Sequence, residues 1–196
     1  MTQNDPIEQF RFRIPEHERR HPWLSLLLDC YARIDYSVQQ AISESNKKLA
    51  CHKGCNSLCC CHTIPLSTFE VLGITFYTKT ILDKKIHELL INKITKKNKM
   101  CLFNVDNCCT IYPLRSIACR RYIIASQCCT ANEDPLATRR NDVLEPSREY
   151  LYRAIEVTLP FYLSQNIHPH AGEHIFNFYK RQNVVLSSVY DKILLK

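Results

Sequence analysis

Residues 22–49 read PWLSLLLDCYARIDYSVQQAISESNKKL. Leu24, Leu27, Tyr31, Ile34, Val38 and Ile42 step by three or four, while Asp29, Arg33, Gln39, Gln40 and Glu44 fall opposite them. One apolar stripe on a 3.6-residue period predicts an amphipathic helix over 22–49. Cys30 sits beside the stripe and is expected in the core, because free cysteine packs as a small hydrophobe.

Working outward, other segments repeat this period. Ser67-Thr68-Phe69-Glu70 has the S-x-x-E pattern of a capping box, in which the serine oxygen takes a first-turn N–H and the glutamate reaches back. The helix it opens carries Phe69, Leu72, Phe76 and Ile81. A second amphipathic run follows, with Ile86, Leu89, Leu90 and Ile94 on one side and Lys84, Lys85, Lys93, Lys96 and Lys97 on the other. Residues 131–146 hold Pro135, Pro146 and several charges, and are expected to form an exposed connection. Two helices are expected to finish the chain. The first starts near Ser147 and buries Leu151, Ile155, Leu159 and Tyr162, with a kink at Pro160. The second runs from about Gly172 and buries Ile175, Tyr179, Leu186, Val189 and Ile193. Residues 1–21, polar and carrying Pro6 and Pro15, are expected as an N-terminal arm or loosely packed cap. The fold class is therefore mainly α: residues 22–196 form one irregular helical domain of four to five helices with little or no sheet, enclosing cysteine-rich loops within 51–129.

Composition removes several function classes. Glycine is 3 of 196 residues, against a typical ~7%. Gly54, Gly73 and Gly172 stand far apart, so no dinucleotide-binding G-x-G-x-x-G, no P-loop and no G-x-S-x-G nucleophile elbow can be written. The N-terminal stretch lacks the apolar run of a secretory signal, and no apolar cluster approaches the ~20 residues of a membrane span. A cytoplasmic address and no membrane partner are expected. Nucleic acid is not expected either, since the lysine face of 84–99 has no interleaved aromatic residues.

Cysteine is the opposite case, with 12 in the chain. Eleven fall in two segments: Cys51, Cys55, Cys59, Cys60 and Cys61, then Cys101, Cys108, Cys109, Cys119, Cys128 and Cys129. Their neighbours, including His52, Lys53, Asn56, Ser57, Asn104, Asp106 and Asn107, are polar and loop-like. In a reducing compartment such a cluster points to metal rather than to disulfides. Crowded thiolates repel one another, and a soft or borderline cation removes the conflict: Zn²⁺ takes four sulfurs, and Fe–S clusters are held by cysteine. Adjacent cysteines point apart, so a Cys-Cys pair can serve two neighbouring ions. The formal charge of +7 is then partly internal, since a zinc ion held by four thiolates carries about −2. Arg115 and Arg120 are candidates to offset the sulfur charge and orient ligands, with Arg121 a weaker one. His52, His62 and the spaced trio His168, His170 and His174 are lesser ligand candidates.

The run Cys51-His52-Lys53-Gly54-Cys55…Cys59-Cys60 followed by Pro65-Leu66-Ser67…Glu70 resembles the CxxCxxCC cysteine-cluster proteins, the YkgJ-like zinc- or iron-chelating domain family. The second half, Cys101…Cys109-Thr110-Ile111-Tyr112-Pro113-Leu114-Arg115…Cys119-Arg120, is similar to that family's C…CxIYxxRPxxCR. The resemblance spans about 51–129 and implies Cys51, Cys55, Cys59, Cys60, Cys101, Cys109 and Cys119 as metal ligands, with Cys128 as an eighth. It departs from the family in three ways: three residues separate Cys55 from Cys59, Cys61 extends the pair, and Ser116 follows the arginine where proline is usual. It implies zinc, iron or an Fe–S cluster without choosing among them. Its partners would be metal ions and a metal-delivery protein. Some relatives are labelled flagellin lysine N-methylase, so a metal- or Fe–S-dependent enzyme acting on a protein substrate is the alternative.

Overall fold

The computed structural model describes residues 5–52, 58–95, 100–130 and 133–195. Its elements in chain order are α1 (Pro15–Arg20), α2 (Pro22–Glu44), β1 (Pro65–Ser67), α3 (Thr68–Thr80), α4 (Lys84–Ile94), β2 (Asn104–Val105), β3 (Cys108–Cys109), α5 (Ile117–Arg121), β4 (Ile123–Ile124), α6 (Pro135–Thr138), β5 (Val143–Leu144), α7 (Arg148–Glu156), α8 (Leu159–Ser164), α9 (Ile175–Arg181), β6 (Asn183–Val185) and α10 (Tyr190–Leu194). The fold is mainly α. Among the described residues, strands form only three two-stranded antiparallel ladders, β1 with β6, β2 with β3 and β4 with β5. No described helix is long and apolar enough to cross a membrane.

The apolar stripe of α2 is the centre of the core. Leu24, Leu27, Tyr31, Ile34 and Val38 are buried, as is Cys30, at 0% exposure. Complete burial raises the Cys30 thiol well above its ordinary range and keeps it neutral. Against this stripe pack α7, α5 and α3. Each buried Leu or Ile contributes about 1.5–3 kcal/mol. The α2–α3 crossing is close because Gly73 has no side chain: a Cβ there would lie 2.2 Å from Leu27 Cδ2. Leu27 is 1% exposed and has nowhere to swing. Gly73→Ala should therefore cost about 1–3 kcal/mol in overpacking, against about 1 kcal/mol gained in helix propensity. A thermal melt should show a net loss, and a more stable variant would show that Leu27 can yield.

The helix stops at Glu44 rather than at 49. Ser45 Oγ donates to the Ile42 carbonyl at 2.8 Å, and Asn46 then takes a left-handed conformation, φ 51°. The side-chain bond competes with helix continuation, and asparagine tolerates the reversal that ends it. The freed strand-like residues 48–51 pair with β4 instead, through a bridge between Leu49 and Ala125.

The N-terminal segment is packed, not loose. Arg11 bonds Glu18 at 2.5 Å and pairs with Asp29 of α2, Phe10 meets Tyr36 edge-on, and Phe12 meets Tyr77. Burial alone would raise the Glu18 carboxyl; hydrogen bonds from Arg11, the Ile14 N–H and Ser25 outweigh it and hold it below its ordinary 4.5. A depressed carboxyl stabilises the fold above that value and loses the contribution as pH falls through the lower folded one. Glu18→Gln should therefore lower stability by about 1 kcal/mol at pH 7, with the gap to wild type closing as pH falls below 4.5. Denaturation at several pH values measures this; a pH-independent gap contradicts it.

The C-terminal half is more finely divided than its periodicity predicts. The helix expected from Ser147 through Tyr162 is two, α7 and α8, broken at Val157–Thr158, with Pro160 in the first turn of α8. Proline there lacks an N–H that would be unsatisfied anyway, so it starts a helix instead of kinking one. The helix expected from Gly172 begins at Ile175 and ends at Arg181, because 183–185 leave it to pair with Pro65–Ser67 as β6. The expected connection over 131–146 contains α6 and β5, and β5 pairs with β4. Two residues expected on buried faces, Leu72 and Leu89, are exposed.

Candidate metal centre

The capping box is formed as the S-x-x-E pattern predicts. Ser67 Oγ accepts the Glu70 N–H at 3.3 Å, and Glu70 Oε2 takes the Ser67 N–H at 2.7 Å. The same carboxylate, 1% exposed, takes the Ser67 hydroxyl at 3.0 Å and two long-range donors. Tyr179 Oη of α9 donates to Oε2 at 2.6 Å, and the N–H of Ile117, the first residue of α5, donates to Oε1 at 2.7 Å. Glu70 thus ties the start of α3 to the start of α5, two residues before Cys119.

Cys119 is held from its own helix as well, its N–H donating to the N-cap Ser116 Oγ at 3.2 Å. Cys51 is set by pairing with β4: its N–H and that of Ala50 donate to the Ile124 carbonyl, and the Ile124 N–H points at Cys51 Sγ at 3.2 Å. Cys59 and Cys60 lie on a 3₁₀ turn, Leu58–Cys61. A backbone bond of 2.7 Å from the Cys101 N–H to the Cys60 carbonyl joins the two sulfur-rich segments. Cys109 is carried by the β2–β3 hairpin, whose turn residues Asp106 and Asn107 have φ of 50° and 59°. Two left-handed residues in succession match the twist of paired strands.

These elements bring Cys51, Cys59, Cys60, Cys101, Cys109 and Cys119 to the wall of one cavity of about 680 Å³. Cys61 and Cys108 are exposed and are not part of that wall; Cys60 and Cys109 are half-buried on it, and Cys59 reaches it although exposed. Cys128 is not part of the wall either; its Sγ faces the Ala50 carbonyl at 3.8 Å. Cys129 lies by Arg139 Nη2. Cys55 lies outside the described residues. No disulfide joins any two of the described cysteines. No group of three or more His, Cys, Asp or Glu side chains among the described residues stands in a ready-made metal-binding arrangement. The six thiols share a cavity without converging on one point.

Burial governs the state of these thiols. It pushes Cys101 up to about 11, although the Tyr190 hydroxyl donates to its sulfur at 3.6 Å. It pushes Cys109 up to about 12, and it raises Cys119 against the opposing pull of Ser116 and of the Arg115 charge. The Cys59 thiol bonds to Cys60, which lowers Cys60 and raises Cys59. A dication supplies the charge that burial withholds, so binding would release protons.

Arg120 is 4% exposed, and among the described residues its hydrogen bonds go to oxygen and not to sulfur. Its guanidinium pairs with Asp35 of α2, donates to the Arg115 carbonyl at 3.0 Å and to the Pro113 carbonyl, and lies 4.1 Å from the Tyr31 ring centre. It clamps the Pro113–Arg115 turn onto α2. Arg115 lies over Tyr112, 4.0 Å from the ring centre, and lines the cavity. His52 and His62 also line it; His52 Nδ1 is 3.1 Å from the Ala50 carbonyl, and His62 packs on Tyr122. His174 caps α9, its Nδ1 accepting the Phe176 N–H at 3.2 Å. Two contributors escaped the sequence reading, Asp35 and Tyr190. Each acts on a residue 85 or more positions away, and neither belongs to a local pattern.

No protein-family model, curated protein or solved structure matches this chain.

Proposed function

We propose that this chain is a metal-binding protein that chelates zinc or iron, as single ions or as an iron–sulfur centre, through cysteine thiolates of its two sulfur-rich segments. The observation that supports the reading is that Cys51, Cys59 and Cys60 of one segment and Cys101, Cys109 and Cys119 of the other line a single cavity. A donor set made of sulfur suits zinc or iron and does not suit magnesium or calcium. Four of these thiols would hold a zinc ion and supply the negative charge that binds it. The proposed setting is the cytoplasm, with metal ions and a metal-delivery protein as partners.

A second reading is a metal- or Fe–S-dependent protein-modifying enzyme. The cavity favours it, since Tyr112, Arg115 and Tyr122 leave space beside the sulfurs where a closed structural site would leave none. Elemental analysis and an absorption spectrum on protein purified without oxygen test the primary reading. Stoichiometric zinc, or iron with broad absorption near about 400 nm, is the expected result. Protein that carries neither metal and takes up neither on titration overturns it.

A further inference from the structure

Asn104 opens β2 and is 7% exposed. Its main chain is engaged: the N–H donates to the Cys101 carbonyl at 3.0 Å, and the carbonyl accepts Lys93 Nζ at 2.8 Å. Its side-chain amide is not. Nδ2 is buried and has no hydrogen-bond partner among the described residues. Buried donors are nearly always paired, and one left unanswered costs stability, because its hydration is lost and nothing replaces it.

The fold aims this donor at the sulfurs. The β2–β3 register sets Asn104 opposite Cys109 and Val105 opposite Cys108. Residues directly opposite in an antiparallel pair project from the same face. The amide therefore shares the face of the Cys109 thiol, which lines the cavity, while Cys108 is exposed on the other face. Cys101, whose carbonyl takes the Asn104 N–H, donates its own N–H to the Cys60 carbonyl at 2.7 Å. The Cys60 sulfur feels the result: the Cys59 thiol lowers it most, burial opposes that, and the Asn104 amide lowers it further.

A metal-bound thiolate has lost its proton and can only accept. An N–H donated to it offsets the charge of crowded sulfurs and fixes the orientation of the ligand. We propose that Asn104 is a positioning residue of the metal centre, its side-chain amide donating to the Cys60 sulfur when that thiolate holds a metal, an assignment that rests on the chelation proposed above. The donor stays unanswered in the metal-free protein because its full acceptor forms only on binding.

Zinc affinity by competition titration and the thermal midpoint of the metal-free protein, measured on wild type, Asn104→Leu and Asn104→Asp, test this. Asn104→Leu keeps the bulk and removes the donor. Its zinc affinity should fall by about 10–100-fold. Its metal-free midpoint should stay level or rise, because no amide is left buried without a partner. A residue that only shaped the hairpin would lower both. Asn104→Asp keeps the shape, lacks the donor and sets negative charge beside thiolates, so it should bind zinc no more tightly than Asn104→Leu. In wild-type protein loaded with cadmium-113, an Asn104 side-chain amide proton should show scalar coupling to the metal through the Cys60 sulfur, which decides the matter even if the variants fold poorly. Equal zinc affinity in Asn104→Leu and wild type, a metal-free midpoint that falls together with the affinity, or absence of that coupling overturns the assignment. Wild-type protein that takes up neither zinc nor cadmium refutes chelation itself; uptake by wild type that Asn104→Leu leaves unchanged refutes the role of Asn104 alone.

Discussion

Glu70→Ala should destabilise the protein by about 3–5 kcal/mol, a large part of the total stability of an ordinary domain. The substitution strips an acceptor from four buried donors at once. The Ser67 N–H and hydroxyl, the Ile117 N–H and the Tyr179 hydroxyl all point at this carboxylate at 2.6–3.0 Å. A capping box accounts for about 1 kcal/mol of this. The remainder comes from the long-range pair, because the Tyr179 hydroxyl and the Ile117 N–H would be left without partners in the core. Glu70→Gln keeps the shape and one acceptor oxygen but turns an NH₂ toward a donor, and should lose about half as much. Ser67→Ala removes only the local arm and should cost about 1 kcal/mol. Equilibrium denaturation of the three variants gives the ranking. A Glu70→Ala midpoint within about 1 kcal/mol of wild type would mean that Glu70 is a helix cap and nothing more.

On the proposed chelation, stripping metal should have the other large effect. Structural zinc contributes about 10–16 kcal/mol of binding free energy in small domains, much of it as folding free energy. The α2 stripe also packs on α7 and α3, which carry no cysteine, so chelation should not abolish the helices. It should release the segments between β1 and α2 and between α4 and β4. A loss of about 5 kcal/mol would lower the thermal midpoint by about 10–20 °C in a chain of this size. Circular dichroism should keep most of its helical signal at low temperature, and readdition of metal should restore the midpoint. Cys119→Ser and Cys60→Ser should behave like the stripped protein, and Cys108→Ser like wild type, because Cys108 faces outward. A midpoint unchanged after metal removal contradicts the account.

What was legible in the sequence was what is local. The stripe of α2, the burial of Cys30 and the capping box each depend on residues within a turn or two of one another, and all three stand in the structure. The grouping of sulfurs into two segments was also plain from spacing. Tertiary competition was not. Residues 183–185 continue a helical period, yet Val184 and Val185 are β-branched and the edge of β1 is open to them, so pairing wins over helix. Asp35 reads as one more polar position on α2 until Arg120 arrives from 85 residues away. The roles of Glu70 beyond its cap have the same origin: Tyr179 lies 109 positions on and Ile117 lies 47. Among the paired cysteines, Cys108 and Cys109 differ in which one faces the cavity because β3 alternates its side chains, and a strand of two residues leaves too little pattern to assign the faces.

The central claim is that thiols from both segments serve one bound metal. Differential alkylation with mass spectrometry tests it most directly, comparing protein purified without oxygen with the same protein after chelation. Cys60, Cys101, Cys109 and Cys119 should be protected together in the first and react together in the second. Cys61 and Cys108 should react in both, and Cys30 in neither until the protein unfolds. Equal rates for those four thiols before and after chelation, or protection confined to one segment, would contradict the claim.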